Sequence, residues 1–408
     1  MELIIANAKL PDGGSAPPVD IGIAGGRIVA IGHGLPGDVP RLDAGGRLVA
    51  AGFVDSHVHL DKSCIMDRCR CQRGDLAEAI ELTARAKAAF TAEDVAARAR
   101  RTLERCILHG TTRMRTHVEV DPGIGLRGFE GVLPLVTDYA WAIDLEICVF
   151  PQEGLLNNPG TEELMVAALR RGATVIGGAP YTDSDPHGQI DRLFTLAREF
   201  DADLDLHLDF SLDPADLDLL QVCAQAERHG RGGRVTIGHV SKLSMLPPQA
   251  FDAAARRLAD AGVALTVLPA TDLYLMGRDL THAVPRGVTP AHVLLDRGVV
   301  CSLATNNVLN PFTPFGDGSL LRMAQLYAHV CQAGTAAELR QCFEMITTLP
   351  ARLMNVGFYG IATGAPADLI VLDADSPEMA VAELAPVLHA FKQGRPTVTR
   401  SPASLHRP

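Results

Sequence analysis

Three short histidine-bearing runs carry most of the reactive chemistry of this chain. In the first, Gly52-Phe53-Val54-Asp55-Ser56-His57-Val58-His59-Leu60-Asp61-Lys62, two histidines stand two residues apart. Alternate side chains of a strand share a face, so His57 and His59 point one way, with Asp61 beyond them. Two imidazoles placed like this can hold one metal ion from the same side, although two core-edge histidines would read the same. The second run is Asp205-Leu206-His207-Leu208-Asp209-Phe210, where alternation puts His207 and Asp209 on one face. The third is Ile237-Gly238-His239-Val240-Ser241-Lys242. A lone histidine in such a place is more often structural, but three runs of one kind favour a shared site. Neutral imidazoles leave the charge of a divalent metal largely uncompensated, which acidifies a bound water.

Such a site needs strands to aim its side chains. Apolar runs recur at Thr111 to Val120, Leu145 to Pro151, Ala173 to Ala179, Ala202 to Phe210, Arg234 to Val240, Val263 to Pro269 and Val299 to Ala304. Ala/Leu/Arg-rich helical stretches lie between them, among them Leu76 to Phe90, Ala92 to Leu108 and Pro248 to Ala261. Strands alternating with helices predict parallel βα units, and about eight of them predict a (β/α)8 TIM barrel of the α/β class. No Gly-x-Gly-x-x-Gly follows the early strands, against a doubly wound dinucleotide fold. The histidine runs then fall at strand C-termini, where barrels of this kind keep their active groups.

The two ends of the chain read differently. Leu3 to Ala6, Val19 to Ile23 and Arg27 to Ile31 are β-rich, with Gly25-Gly26 as a hairpin turn. Ala367 to Asp373 is a further strand, and Val387 to Lys392 with Gly394 to Val398 a second hairpin. The expected organisation is a small β-sandwich-like domain from residues 1–50 and 365–408, around a barrel of residues 51–364.

Bulk properties narrow the function. Of 408 residues, 47% are hydrophobic and 21% charged, as in a globular enzyme, which excludes a disordered or fibrous chain. The net charge of -11 excludes a general attraction for nucleic acid or anionic membrane. Met1-Glu2-Leu3-Ile4-Ile5 does not open a leader peptide, and the nine cysteines read as reduced thiols, so a cytoplasmic setting is expected. Cys64, Cys69 and Cys71 are poorly spaced for a zinc knuckle and have no second pair.

The stretch Ala51 to Lys62 resembles the first-strand motif of the metal-dependent amidohydrolase superfamily. Arg115-Thr116-His117-Val118-Glu119-Val120, Phe150-Pro151-Gln152-Glu153-Gly154, the His207 and His239 strand ends, Pro314-Phe315-Gly316 and Gly364 to Leu372 extend the likeness over nearly the whole chain, toward the cytosine deaminase and N-isopropylammelide isopropylaminohydrolase branch. The resemblance implies one divalent transition metal ion, Zn or Fe, on His57, His59 and His207. It implies that His239 holds the metal-bound water or the tetrahedral intermediate, that Gln152 binds an amide edge of the substrate, and that Lys62 lies near it.

Two departures stand out. Phe210 occupies the place of the family's proton-shuttling Glu, and Asp209 is the nearest substitute. Asn306, in Ser302-Leu303-Ala304-Thr305-Asn306-Asn307-Val308, stands where the family has a metal-binding Asp, and an amide cannot accept the water's proton. The expected activity is hydrolysis of a C–N bond in a small nitrogen heterocycle, first as deamination of a cytosine-like ring. Removal of an alkylamine from a triazine-like ring, or opening of a cyclic amide, comes next. An altered chemistry and a silent binding protein are the rivals that Asn306 keeps open. The expected partners are that small substrate and further copies of the chain, with neither nucleic acid nor membrane.

Overall fold

The structure, a computed structural model, describes residues 1–14, 16–401 and 403–406. Of the stretch expected to complete the small domain, residues 402, 407 and 408 lie outside the described residues.

The chain opens with β1 (Leu3–Ala8), β2 (Val19–Ala24), β3 (Arg27–Gly32) and β4 (Arg41–Asp43), which form one sheet in the order β3-β2-β1-β4. Gly25 and Gly26, with φ of 56° and 72°, make the two-residue turn between β2 and β3, a conformation that glycine adopts without steric cost. Next comes β5 (Leu48–Ala51), and then the barrel strands β6 (Phe53–Val58), β7 (Thr111–Glu119), β8 (Asp144–Phe150), β9 (Val175–Gly178), β10 (Asp203–Leu208), β11 (Val235–His239), β12 (Val263–Val267) and β13 (Cys301–Leu303). The chain returns through β14 (Leu369–Leu372), β15 (Val387–Lys392) and β16 (Arg395–Thr399), which join β5 in an antiparallel sheet ordered β16-β15-β14-β5. Ile5, Ile21, Ile23 and Ile28 of the first segment share one core with Leu369, Val371 and Phe391 of the last. Burying that apolar surface holds the two ends of the chain together.

The eight central strands are parallel and lie in sequence order. Helices between them include α1 (Leu76–Lys87), α2 (Ala92–Leu108), α3 (Arg127–Asp138), α4 (Thr161–Arg170), α5 (Pro186–Glu199), α6 (Leu219–His229), α7 (Pro248–Ala261) and α8 (Pro269–Leu275). The fold is thus a TIM barrel with a small terminal domain. The barrel closes through Asn306: its N–H donates to the His57 carbonyl at 2.8 Å, and its carbonyl accepts from His59 N–H at 2.8 Å. Gly52, at the entry to β6, cannot carry a side chain, because a Cβ there would come within 2.2 Å of the Thr112 side chain. That close approach of β6 to β7 places the first histidine pair.

Candidate metal and substrate site

β6 ends as its sequence alternation predicts. His57 and His59 are buried at its C-terminal end, and β10 brings His207 to meet them. The Nε2 atoms of His57 and His59 each lie 3.1 Å from Nε2 of His207. Burial, reinforced by the neighbouring His117, pushes the His57 imidazole down to about 3. Burial holds His59 and His207 well below their ordinary value too, the first helped by the Lys62 ammonium and the second by His57. All three are therefore neutral at pH 7. The three rings offer nitrogens within 4.8 Å of one another, and a neutral ring protonated at Nδ1 leaves the Nε2 lone pair free. That donor set fits a divalent transition metal, which takes neutral imidazole nitrogen.

Beneath the ligands lies a polar floor. Asp205, one residue-pair before His207 on the same face of β10, sits 3.6 Å from His57 Nδ1 and 3.4 Å from His117 Nε2. Burial alone would raise its carboxyl, but His117, His57 and the Arg115 guanidinium at 2.9 Å hold it well below the usual carboxylate range. His117 stacks on His57 with ring centroids 3.6 Å apart and so backs the three-histidine cluster.

Above the three histidines a narrow cleft is lined by His59, His207, His239, Lys62, Gln152 and Asn306, together with Tyr181, Phe210, Thr271, Asn307 and Phe312. Lys62 Nζ donates to Glu119 Oε1 at 2.6 Å and to Gln152 Oε1 at 3.4 Å. Gln152 Nε2 and both side-chain atoms of Asn306 are buried without partners, so their hydrogen-bonding capacity is left for a ligand.

Sequence reasoning missed Asp272. It lies in the first turn of α8, just past the end of β12, and its Oδ1 is 2.5 Å from His239 Nδ1. Leu268 N–H donates to its other oxygen at 3.2 Å. This pairing assigns the proton to Nδ1 of His239 and leaves Nε2 as the free acceptor. Phe210 stacks on the His239 ring at 3.8 Å, so the residue in the shuttle's place packs the imidazole rather than carrying a proton.

Asp209 differs from expectation. Its φ of 47° ends β10 at Leu208, and the alternation that would have carried its side chain beside His207 stops there. Its two oxygens accept the N–H groups of Asp218 and Leu219, both at 3.0 Å, at the start of α6. It does not line the cavity. His239 and Asn306 also have positive φ, 68° and 60°, and these non-glycine left-handed residues sit where strands give way to active loops. Glu119 lies behind Lys62, and Arg278 packs over the Tyr274 ring.

Comparison with known proteins places this geometry. The amidohydrolase family model matches residues 42–133 and 141–398. The chain is 30% identical to N-isopropylammelide isopropyl amidohydrolase of Pseudomonas sp. (strain ADP), over 97% of this chain and 96% of that one. It is 29% identical to pterin deaminase of Rhizobium rhizogenes, over 83% and 78%. Among solved structures, 5-methylcytosine deaminase from Klebsiella pneumoniae, liganded with 5-fluorocytosine, superposes with a TM-score of 0.94, 29% identity and 99% coverage of both chains. N-isopropylammelide isopropylaminohydrolase from Burkholderia multivorans gives a TM-score of 0.85 at 28% identity, covering 97% of this chain and 98% of that one.

Proposed function

The chain belongs to the amidohydrolase family, and on that premise we propose that it hydrolyses a C–N bond of a small nitrogen heterocycle, releasing ammonia from a cytosine-like ring. The observation that carries the reading is the meeting of three neutral imidazole Nε2 atoms beside a cleft that Lys62, Gln152, His239 and Asn306 also line. His57, His59 and His207 would hold one Zn or Fe(II) ion. When bound, that ion supplies Lewis acidity and lowers the pKa of a water toward 7.

The remaining roles fall to the chain's own groups. Gln152 offers its free Nε2 to a ring carbonyl, and Lys62 adds a second donor beside it. His239, held by Asp272, takes a proton at Nε2 and hands it to the departing nitrogen. Asn306 positions the attacking or departing group through its amide and takes no proton. Phe210 and Phe312 keep the walls dry, which strengthens each of these contacts.

Removal of an alkylamine is the second reading. The whole-length likeness to N-isopropylammelide isopropyl amidohydrolase supports it. Purified enzyme loaded with Zn(II) or Fe(II) should be offered pyrimidines, purines, triazines and cyclic ureas, with ammonia and primary amine measured separately. Ammonia from a pyrimidine supports the first reading and an alkylamine from a triazine the second. Metal-loaded protein that releases neither overturns both.

A further inference from the structure

Lysine is scarce in this chain, five of its 37 basic residues. Three of the five, Lys62, Lys87 and Lys392, are buried. Lys392 binds Asp144 and Asp368 and ties the terminal sheet to the barrel. The other two stand on either side of Glu119. Lys87 is the last residue of α1 and does not line the cavity. Its Nζ donates to Glu119 Oε2 at 2.8 Å, lies 2.7 Å from Asp121 Oδ2, and also pairs with Glu153.

Glu119 ends β7, Asp121 lies two residues beyond, and Glu153 follows Gln152 past the end of β8. One ammonium carried by a helix therefore clamps the ends of two neighbouring strands. The three acids are close enough to gather round one cation, and the Lys87 ammonium pairs with each of them. Burial would raise the Glu119 carboxyl, but Lys62 and Lys87 together hold it ionised. Without Lys87, Glu119 would keep only Lys62, and the buried Asp121 would lose its ammonium contact. An uncompensated buried charge is costly, so Glu119 would turn toward water or draw Lys62 out of the cavity wall.

We propose that Lys87 is a positioning residue for the substrate cavity: by pinning Glu119, Asp121 and Glu153 it fixes Lys62 and Gln152 where a ligand meets them. The inference rests on the reading that these two residues bind substrate. No atom of Lys87 need touch the reacting ring.

The test uses Lys87→Met, which keeps the chain's length and removes its charge. Lys87→Met combined with Glu153→Gln also removes the acid that Lys87 pairs with, should the single variant fold poorly. Full-length protein labelled with [15N]lysine has only five ammonium groups to resolve. The Lys62 resonance is assigned by its loss in Lys62→Met. We expect it to shift or broaden in both Lys87 variants, while the Lys392 resonance stays in place. An unchanged Lys62 resonance in a folded Lys87 variant overturns the proposal. With N-isopropylammelide and 5-methylcytosine as probes, KM should rise about 10–100-fold and kcat change by less than about threefold. The losses in Lys62→Met/Lys87→Met should be less than additive, leaving only the share that acts through Gln152; fully additive losses contradict positioning through Lys62. If neither probe turns over, the ammonium resonances still decide the role of Lys87, and only the functional reading fails.

Discussion

One wall of the cavity is built of histidines, and the wall that holds Lys62 and Gln152 is backed by a row of alternating charges. On the first, burial keeps His57, His59 and His207 neutral, and no carboxylate meets their Nε2 atoms. On the second, Lys62 arrives already matched to Glu119, which is matched in turn to Lys87. The first wall is left able to accept a cation whose charge it does not cancel. The second brings its own counter-ions and can offer hydrogen bonds without demanding a charged ligand. The proposed metal on one side and polar ring edge on the other match that difference.

Breaking the histidine wall should produce the largest effects. His239→Asn removes the proton carrier and should lower kcat about 100–10,000-fold with metal content unchanged. Asp272→Asn should cost less, because the imidazole stays while its orientation and tautomer loosen. Turnover by both variants equal to wild type would move the proton path elsewhere.

The same wall predicts a pH dependence of stability. His57 sits at about 3 in the folded protein against an ordinary 6.5. Between those values the unfolded chain binds the proton and the folded one does not, so stability is full above pH 6.5 and falls as pH falls. From pH 7 to pH 5 this residue should account for about 2 kcal/mol. Denaturant unfolding of metal-stripped wild type and His57→Gln at both pH values isolates its share. Equal slopes for the two proteins would show that His57 is protonated in the fold.

Effects on the charged wall should be smaller and fall on binding. Gln152→Leu should weaken substrates that bear a lactam or amide edge by about 1–3 kcal/mol, read as KM. Unchanged kinetics would place Gln152 outside the contact. Smallest of all on turnover is Asp209→Asn. Its carboxylate holds the start of α6, so kcat should stay within about threefold while stability drops about 0.5–2 kcal/mol. A hundredfold loss of kcat would return Asp209 to the proton path.

How legible each wall is in the sequence follows from its secondary structure. Strand alternation makes His57, His59 and His207 readable, because a period of two needs no tertiary knowledge. The same rule misleads at Asp209, where one residue with positive φ ends the strand and breaks the alternation. Asp272 and Lys87 lie on helices, and nothing in a helical period says which distant strand end a side chain will reach. The barrel itself is legible because each βα unit repeats the signal. Its closure through the Asn306 backbone is not, since an isolated bridge leaves no pattern.

The central claim is that His57, His59 and His207 form one site for a divalent transition metal. Elemental analysis of the purified protein and of the His57→Ala/His59→Ala variant, each dialysed after loading with Zn(II) or Fe(II), tests it most directly. We predict about one ion per chain in the wild type and none in the variant, with the variant still folded by far-UV circular dichroism. Full metal content in that variant, or a wild type that holds no ion after loading, would contradict the account.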